Sequence, residues 1–265
     1  VDISVNDTDF TDNAATVGDG GAMYTSNNAT LIDATTFENN IAADSGGAVE
    51  AQYSVVTSST FVDNSASVGG GANFFGEGTV RNSTFWTNTT STAGAFSVGA
   101  GDYGAIFGSI VANTSATQET VHMLDLGANL VTKLPATDWD LVEGVTANKS
   151  KLVTEAELDL QALALNQTGP DNTGVTRTVA LGDASVAIDY YTYTESVPTA
   201  VAVEGGWTLP TTDQRGVDRT LNGATDVGAY EHDVPPAAPV CATTTLGNIR
   251  FKADSARLTA TSKAK

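Results

Sequence analysis

The sequence predicts an all-β fold, a parallel β-helix in which each coil takes about 24 residues. Three observations predict it. A signature Phe-x-x-Asn recurs at Phe10, Phe37, Phe61 and Phe85, and a variant with Ile begins at Ile110, at spacings of 27, 24, 24 and 25 residues. The segments are full of Thr, Ser, Val, Asn and Gly, without an apolar stripe of helical period, which favours short strands and tight turns. The period is also too short for a pair of helices but fits one three-sided coil.

The regular repeats occupy residues 1–116. Val5, Ile32, Val56, Val80 and Ala105 lie five positions before the signature, and Asp9, Thr36, Thr60, Thr84 and Ser109 lie just before it. Gly-Gly-Ala follows at 20–22, 46–48 and 70–72, degraded to Ala93-Gly94-Ala95 in the fourth copy. Coils stacked at about 4.8 Å put equivalent residues above one another. Phe10, Phe37, Phe61 and Phe85 are then an inward column capped by Ile110. Ala22, Ala48, Ala72 and Ala95 line a crowded interior, and the glycines before them supply positive-φ bends. Asn13, Asn40, Asn64, Asn88 and Asn113 form a structural ladder bonded to one another and to turn backbone. This pairing of Phe-x-x-Asn with Gly-Gly-Ala resembles the repeat of the polymorphic outer-membrane proteins and related bacterial surface proteins. The resemblance implies a right-handed β-helix exposed outside a Gram-negative cell and used mainly in adhesion.

Residues 117–232 read as an irregular closing region of the same domain. The stretch TEAELDLQALAL, from Thr154, has acids early and leucines at helical or short-coil spacing, so its type is open. Asp189, Asp213, Arg215, Arg219 and Asp226, mostly in or beside Gly-bearing turns, are expected to form a buried structural polar cluster. The motifs Gly127-Ala128-Asn129-Leu130, Val186-Ala187-Ile188-Asp189, Asp213-Gln214-Arg215-Gly216 and Asp226-Val227-Gly228-Ala229-Tyr230-Glu231 resemble the C-terminal part of the choice-of-anchor Q domain proteins. That pattern departs here at Val186, where the family has Pro, and in its Asn-Gly-Gly-Pro turn. The resemblance implies a secreted, surface-attached protein and no reaction. Tyr190, Tyr191, Tyr193 and Trp207 fall in a longer insertion, which is expected to protrude or to pack on the flank.

Residues 233–245 are a Pro/Ala/Thr linker. Residues 246–265 resemble the opening of an OmpA-like peptidoglycan-binding domain, cut before that family's ligand residues, so no binding site is carried over. Val1 opens directly into patterned sequence, as expected of a mature or excised piece.

Charge and chemistry narrow the function. The chain of 265 residues carries −19, divided as −13 in residues 1–132, −10 in 133–235 and +4 beyond. Acidity of this degree excludes nucleic acid and disfavours anionic polysaccharide. The single Cys241 excludes an internal disulfide, and His122 and His232 stand alone. No metal site and no cofactor are expected; Asp19 and Asp44, beside the glycine turns, offer at most weak Ca2+ ligation. Acids such as Asp12, Glu38, Glu50 and Asp63 recur on every coil like a solvated face, and no catalytic residues stand out. The expectation is a non-enzymatic structural or adhesive surface module, its partners cell-surface proteins, a host or neighbouring cell, glycans, or peptidoglycan through the missing C-terminal part. The alternatives are a filament subunit stacking end to end, and a polysaccharide hydrolase or lyase.

Overall fold

The computed structural model describes residues 3–91, 96–98, 104–112, 120–121, 123–133, 150–166, 176–192, 209–220 and 223–232. The chain divides between His232 and Asp233, and every described residue belongs to the first unit. The linker, the OmpA-like segment, Asn113, His122, Tyr193, Trp207 and Cys241 lie outside the described residues.

The first unit is a parallel β-solenoid of about five turns. One stack of strands contains Asp9–Thr11, Thr36–Glu38, Thr60–Val62, Thr84–Trp86, Ile110–Ala112, Leu130–Val131 and Lys151–Leu152, paired in that order. A short stack, Ala14–Ala15, Ile41–Ala42, Ser65–Ala66 and Thr89–Thr90, follows it around the coil. The remaining two faces are joined, because Met23–Asp33 and Val49–Thr57 run across the corner between them. The register between those two long strands shifts between Thr25 and Ala29, where the chain turns the corner. Among the described residues one helix occurs, Glu155–Leu158; a capping box between Thr154 and Glu157 closes its N-terminus, which resolves the open type of that stretch.

The inward side of the Phe stack forms the first core. Neighbouring rings of Phe10, Phe37, Phe61 and Phe85 stack at 5.0, 4.7 and 4.5 Å, nearly parallel, and the last three are fully buried. Ile32, Val56, Val80 and Ile106 fill the adjoining face. Stacking of this kind adds about 0.5–1.5 kcal/mol per pair to the burial of the rings themselves.

Two expectations of register are corrected. Phe85 pairs with Val111 and Val80 with Ile106, so Val111, rather than Ile110, caps the Phe column. The fourth coil carries one residue more than the Ile-x-x-Asn alignment assumes. A one-residue slip turns every side chain to the opposite face. Ile110 therefore points outward, above Thr84, and Ala105 is replaced at the inward position by Ile106. The glycine turn slips likewise in the third copy. Ala48 donates to the Gly71 carbonyl at 2.9 Å, whereas Ala72 pairs with Val49, so Gly71 stands where the first two copies have Ala22 and Ala48.

The glycines of that turn do two different things. Gly46 adopts φ +63, while a Cβ on Gly47 would stand 1.9 Å from the Gly70 carbonyl oxygen, so neighbouring coils close directly onto it. The bends into and out of the Phe strands do not use glycine in the first four coils. Asp7, Ala34, Ser58 and Asn82 on one side, and Asp12, Asn39, Asp63 and Thr87 on the other, all have positive φ. Asp and Asn tolerate this region best, and the side-chain ladders described next hold the others there.

Candidate functional site: a C-terminal clasp on the threonine face

Two polar ladders fix the coils. The backbone N–H and the Nδ2 amide of Asn40 both donate to Asn64 Oδ1, each at 2.9 Å, and Asn64 repeats this toward Asn88. The second amide hydrogen reaches back a coil, from Asn64 to the Phe37 carbonyl at 3.0 Å and from Asn88 to that of Phe61 at 2.8 Å. Asn13 joins the ladder at its start through Asn40 Oδ1.

The second ladder is absent from the sequence reading. Thr35, Ser59 and Ser83 donate their backbone N–H to the hydroxyl of Ser59, Ser83 and Ser109 respectively, each at 3.2 Å. Ser109 then donates to Asn129 Oδ1, and Asn129 to the Ser150 hydroxyl. The hydroxyls of Ser59, Ser83 and Ser109 in turn donate to the carbonyl two residues earlier, as from Ser59 to Thr57 at 2.7 Å. The signal was present: a Ser or Thr stands two residues before each of Phe10, Phe37, Phe61 and Phe85, and before Val111. Asp125 Oδ1 closes the series by accepting from Gly127 N, Asn129 Nδ2 and Ser150 Oγ.

The outward side of the Phe stack carries Thr36, Thr60 and Thr84, all essentially buried. The C-terminal segments cover them as a clasp. Gln214 spans two coils: its Oε1 accepts from Thr60 at 2.6 Å, and its Nε2 donates to Thr36 at 2.8 Å and to Thr176 at 3.0 Å. Thr36 donates to the Arg177 carbonyl at 2.5 Å. On the fourth coil Ala229 N donates to Thr84 Oγ1 at 3.0 Å, and on the fifth Gly228 N donates to the Gly108 carbonyl at 2.8 Å. Gly228 has φ +101, and a Cβ there would meet Thr84 Oγ1 at 2.7 Å. At the first two coils Arg177 bridges Asp9 at 3.2 Å and Glu38 at 2.5 Å. Further along, where the outward residues become Ile110, Ala112 and Leu130, they pack with Leu158, Leu181, Ala187, Tyr191 and Val227 as a second core.

The polar cluster anchors this clasp. Asp213 Oδ1 accepts from the backbone N–H of Arg215 at 2.8 Å and of Val217 at 2.9 Å. Its Oδ2 takes the Arg215 side chain, at 2.7 Å from Nη2, and the N–H of Glu231 at 2.9 Å. Arg215 also lies 3.7 Å over the Tyr230 ring and donates to the carbonyls of Asn166 and Glu231. Arg219, fully buried, donates to the carbonyls of Thr212, Asp226 and Gly228 and meets the Glu231 carboxylate at 3.3 Å. Asp226 accepts from the N–H groups of Asp189, at 2.7 Å, and His232, at 2.5 Å. Asp189, expected inside the buried cluster, is instead exposed and enters through its backbone N–H, at φ 52. Sequence reasoning missed Glu231 and Gln214; the first ends a motif and the second sits inside one, but neither a charge pattern nor a period marks them.

Burial pushes the Glu231 carboxyl up to about 8, with Asp226 repelling its charge and Arg219 only partly offsetting both. Burial also raises Asp226, against the N–H bonds from Asp189 and His232. On the opposite flank Glu50 is pushed up to about 7, chiefly by burial, although Asn73 Nδ2 donates to both of its oxygens at 3.0 and 2.9 Å. The folded protein therefore holds protons that the unfolded chain, with an ordinary Glu value of 4.5, has released. That stabilisation is complete below the unfolded pKa and fades as pH rises through the folded values. The thermal midpoint is expected to fall between about pH 5 and about pH 8. Glu231→Gln and Glu50→Gln should each flatten part of the slope, beside what Asp226 contributes; a midpoint that stays level or rises over that range would mean both glutamates are ionised when folded.

The other acids singled out from the sequence have local partners. Asp12 accepts from Asn39 at 2.5 Å, Glu38 pairs with Arg177, and Asp19 Oδ1 accepts from the Ser45 hydroxyl at 2.6 Å and its N–H at 3.1 Å. Asp63 enters by its backbone, donating to the Trp86 carbonyl at 3.3 Å. No group of three or more His, Cys, Asp or Glu converges as a metal site among the described residues. Nor is any helix there long and apolar enough to cross a membrane.

Residues 34–52 match the Chlamydia polymorphic membrane protein repeat. This stretch holds Phe37, Asn40 and the Gly46-Gly47-Ala48 turn, the residues that stack the second coil on its neighbours. No curated protein and no solved structure matches the chain.

Proposed function

We propose that the chain is a non-enzymatic, cell-surface structural or adhesive module of a Gram-negative envelope. The observation that carries this reading is the polymorphic membrane protein repeat lying on the coil whose Phe, Asn and Gly residues set the stacking of a β-solenoid. The ladders, the clasp and the pairing of Asp12, Glu38 and Glu50 with neighbouring side chains support it further, since those carboxylates are committed to holding coils together. The finer reading follows the sequence resemblances: a choice-of-anchor Q type of protein, secreted or outer-membrane-associated, held to the envelope through an OmpA-like domain that begins at 246–265. Its partners are surface proteins or glycans of a neighbouring or host cell, and it requires no cofactor.

The test is retention of the full chain on cells. Fluorescently labelled protein is expected to bind bacterial or epithelial surfaces saturably and to leave a polysaccharide panel without new reducing ends or unsaturated products. Turnover of any polysaccharide would overturn the reading in favour of a β-helix enzyme. Absence of saturable binding to every cell type would remove the adhesive part.

A further inference from the structure

From the pocket beside the short helix we infer a binding subsite for one uncharged hexopyranose unit, with Trp86 as its apolar wall and Glu155 and Asp159 as its hydrogen-bond acceptors. The inference deepens the adhesive reading by naming the chemical class of ligand, and it rests on that reading only for its biological use. The pocket has a volume of about 300 Å³ and is lined by Trp86, Glu155, Ala156, Asp159 and Leu160. That volume is at the small end of ligand pockets and suits a single sugar ring.

Each wall is held by an independent feature. Trp86 ends the strand Thr84–Trp86 on its outward side, and the indole is half-buried against the second core. It is therefore a rigid ring with part of its surface open. Leu158 buries the helix against the same core. Glu155 opens that turn and Asp159 caps its end, and both line the pocket. Asp159 is the C-cap in the left-handed region at φ 45, where Gln161 Nε2 donates to its carbonyl at 2.9 Å and to its Oδ1 at 3.0 Å. Its Oδ2 lies against Gly182, whose Cβ, if present, would stand 2.0 Å away.

The chemistry of the walls selects the ligand. Indole, Leu160 and Ala156 offer an apolar floor, and the two carboxylates offer acceptors only. A pyranose has an apolar C–H face and an edge of hydroxyl donors, so it satisfies both walls at once. A compact cation would use the carboxylates and leave the floor unused. An anionic sugar is opposed by the acids of the pocket and by the charge of residues 1–235, which carry 30 acidic and 7 basic side chains.

The experiment uses the full chain labelled with fluorotryptophan, in which Trp86 is assigned by the resonance missing from Trp86→Phe. Methyl glycosides of glucose, galactose and mannose, N-acetylglucosamine, and spermidine are the probes. At least one neutral sugar is expected to shift the Trp86 signal saturably, at millimolar concentration as befits a single subsite. Asp159→Asn and Glu155→Gln should each weaken that binding several-fold, up to about ten-fold, without changing the melting temperature. Three results would overturn the proposal: no sugar shifts the signal, spermidine alone shifts it, or both carboxylate variants bind as the parent does. Cell retention without any sugar response would sink the subsite and leave the adhesive reading intact. Sugar binding without cell retention would do the reverse.

Discussion

Replacing Arg219 by alanine is expected to lower stability by about 3–5 kcal/mol, because a large, fully buried side chain is removed and buried carbonyls lose their donor. The guanidinium is the common donor for the carbonyls of Thr212, Asp226 and Gly228 and the buried partner of Glu231. Alanine leaves the buried Asp226 and Gly228 carbonyls without this donor, whereas Ser58 still donates to the Thr212 carbonyl and the Asp226 N–H to the Glu231 carboxyl. Glu231, pushed up to about 8, already holds its proton at neutral pH, so its carboxyl is left without an unpaired charge. The unpaired carbonyls have no such escape. Denaturant unfolding measures the loss. Hydrogen exchange should also show faster opening at Gln214 and Ala229, the clasp residues that bond to the threonine face. A loss below about 1 kcal/mol would mean that apolar packing alone seats the clasp.

The second large effect is expected in the Phe column. Phe61→Ala should cost about 3–5 kcal/mol, because its ring lies between two others, at 4.7 and 4.5 Å, and is wholly buried. Ladder hydrogen bonds above and below prevent the coils from collapsing into the space. The same change at Phe10, which is half-buried and stacks on one ring, should cost visibly less. Equal losses at the two positions would show that the column does not pack as a continuous stack.

The stacking of the first four coils is legible because Phe and Asn are each restricted by an inward or a ladder position that tolerates little else. Legibility fails at the fifth coil. There the aromatic gives way to aliphatic residues, and Ile110 and Val111 suit an inward position equally well in sequence. What distinguishes them is the second core, which claims Ile110 for the outside. The same core explains the outward column itself, which changes from Thr36, Thr60 and Thr84 to Ile110 and Leu130 along the stack. Polar clasp residues lie over the threonines, and apolar ones pack with the aliphatics. Read alone, three stacked threonines look like an open polar flank. In the closing region Asp213, Arg215 and Arg219 are conspicuous because charges are sparse among tight turns. Gln214 is inconspicuous because an amide earns no attention until both of its ends are seen to bridge coils.

The geometry of the clasp has a mechanical meaning for the solenoid. In a stack where each repeat touches only its neighbours, tension along the axis parts one interface at a time, beginning at the loaded end. The clasp crosses those interfaces: Arg177 grips the first two coils, Gln214 the second and third, Ala229 the fourth and Gly228 the fifth. A load that would unzip one rung is spread in shear across several, so the brace turns a row of separately peelable coils into a unit that yields together.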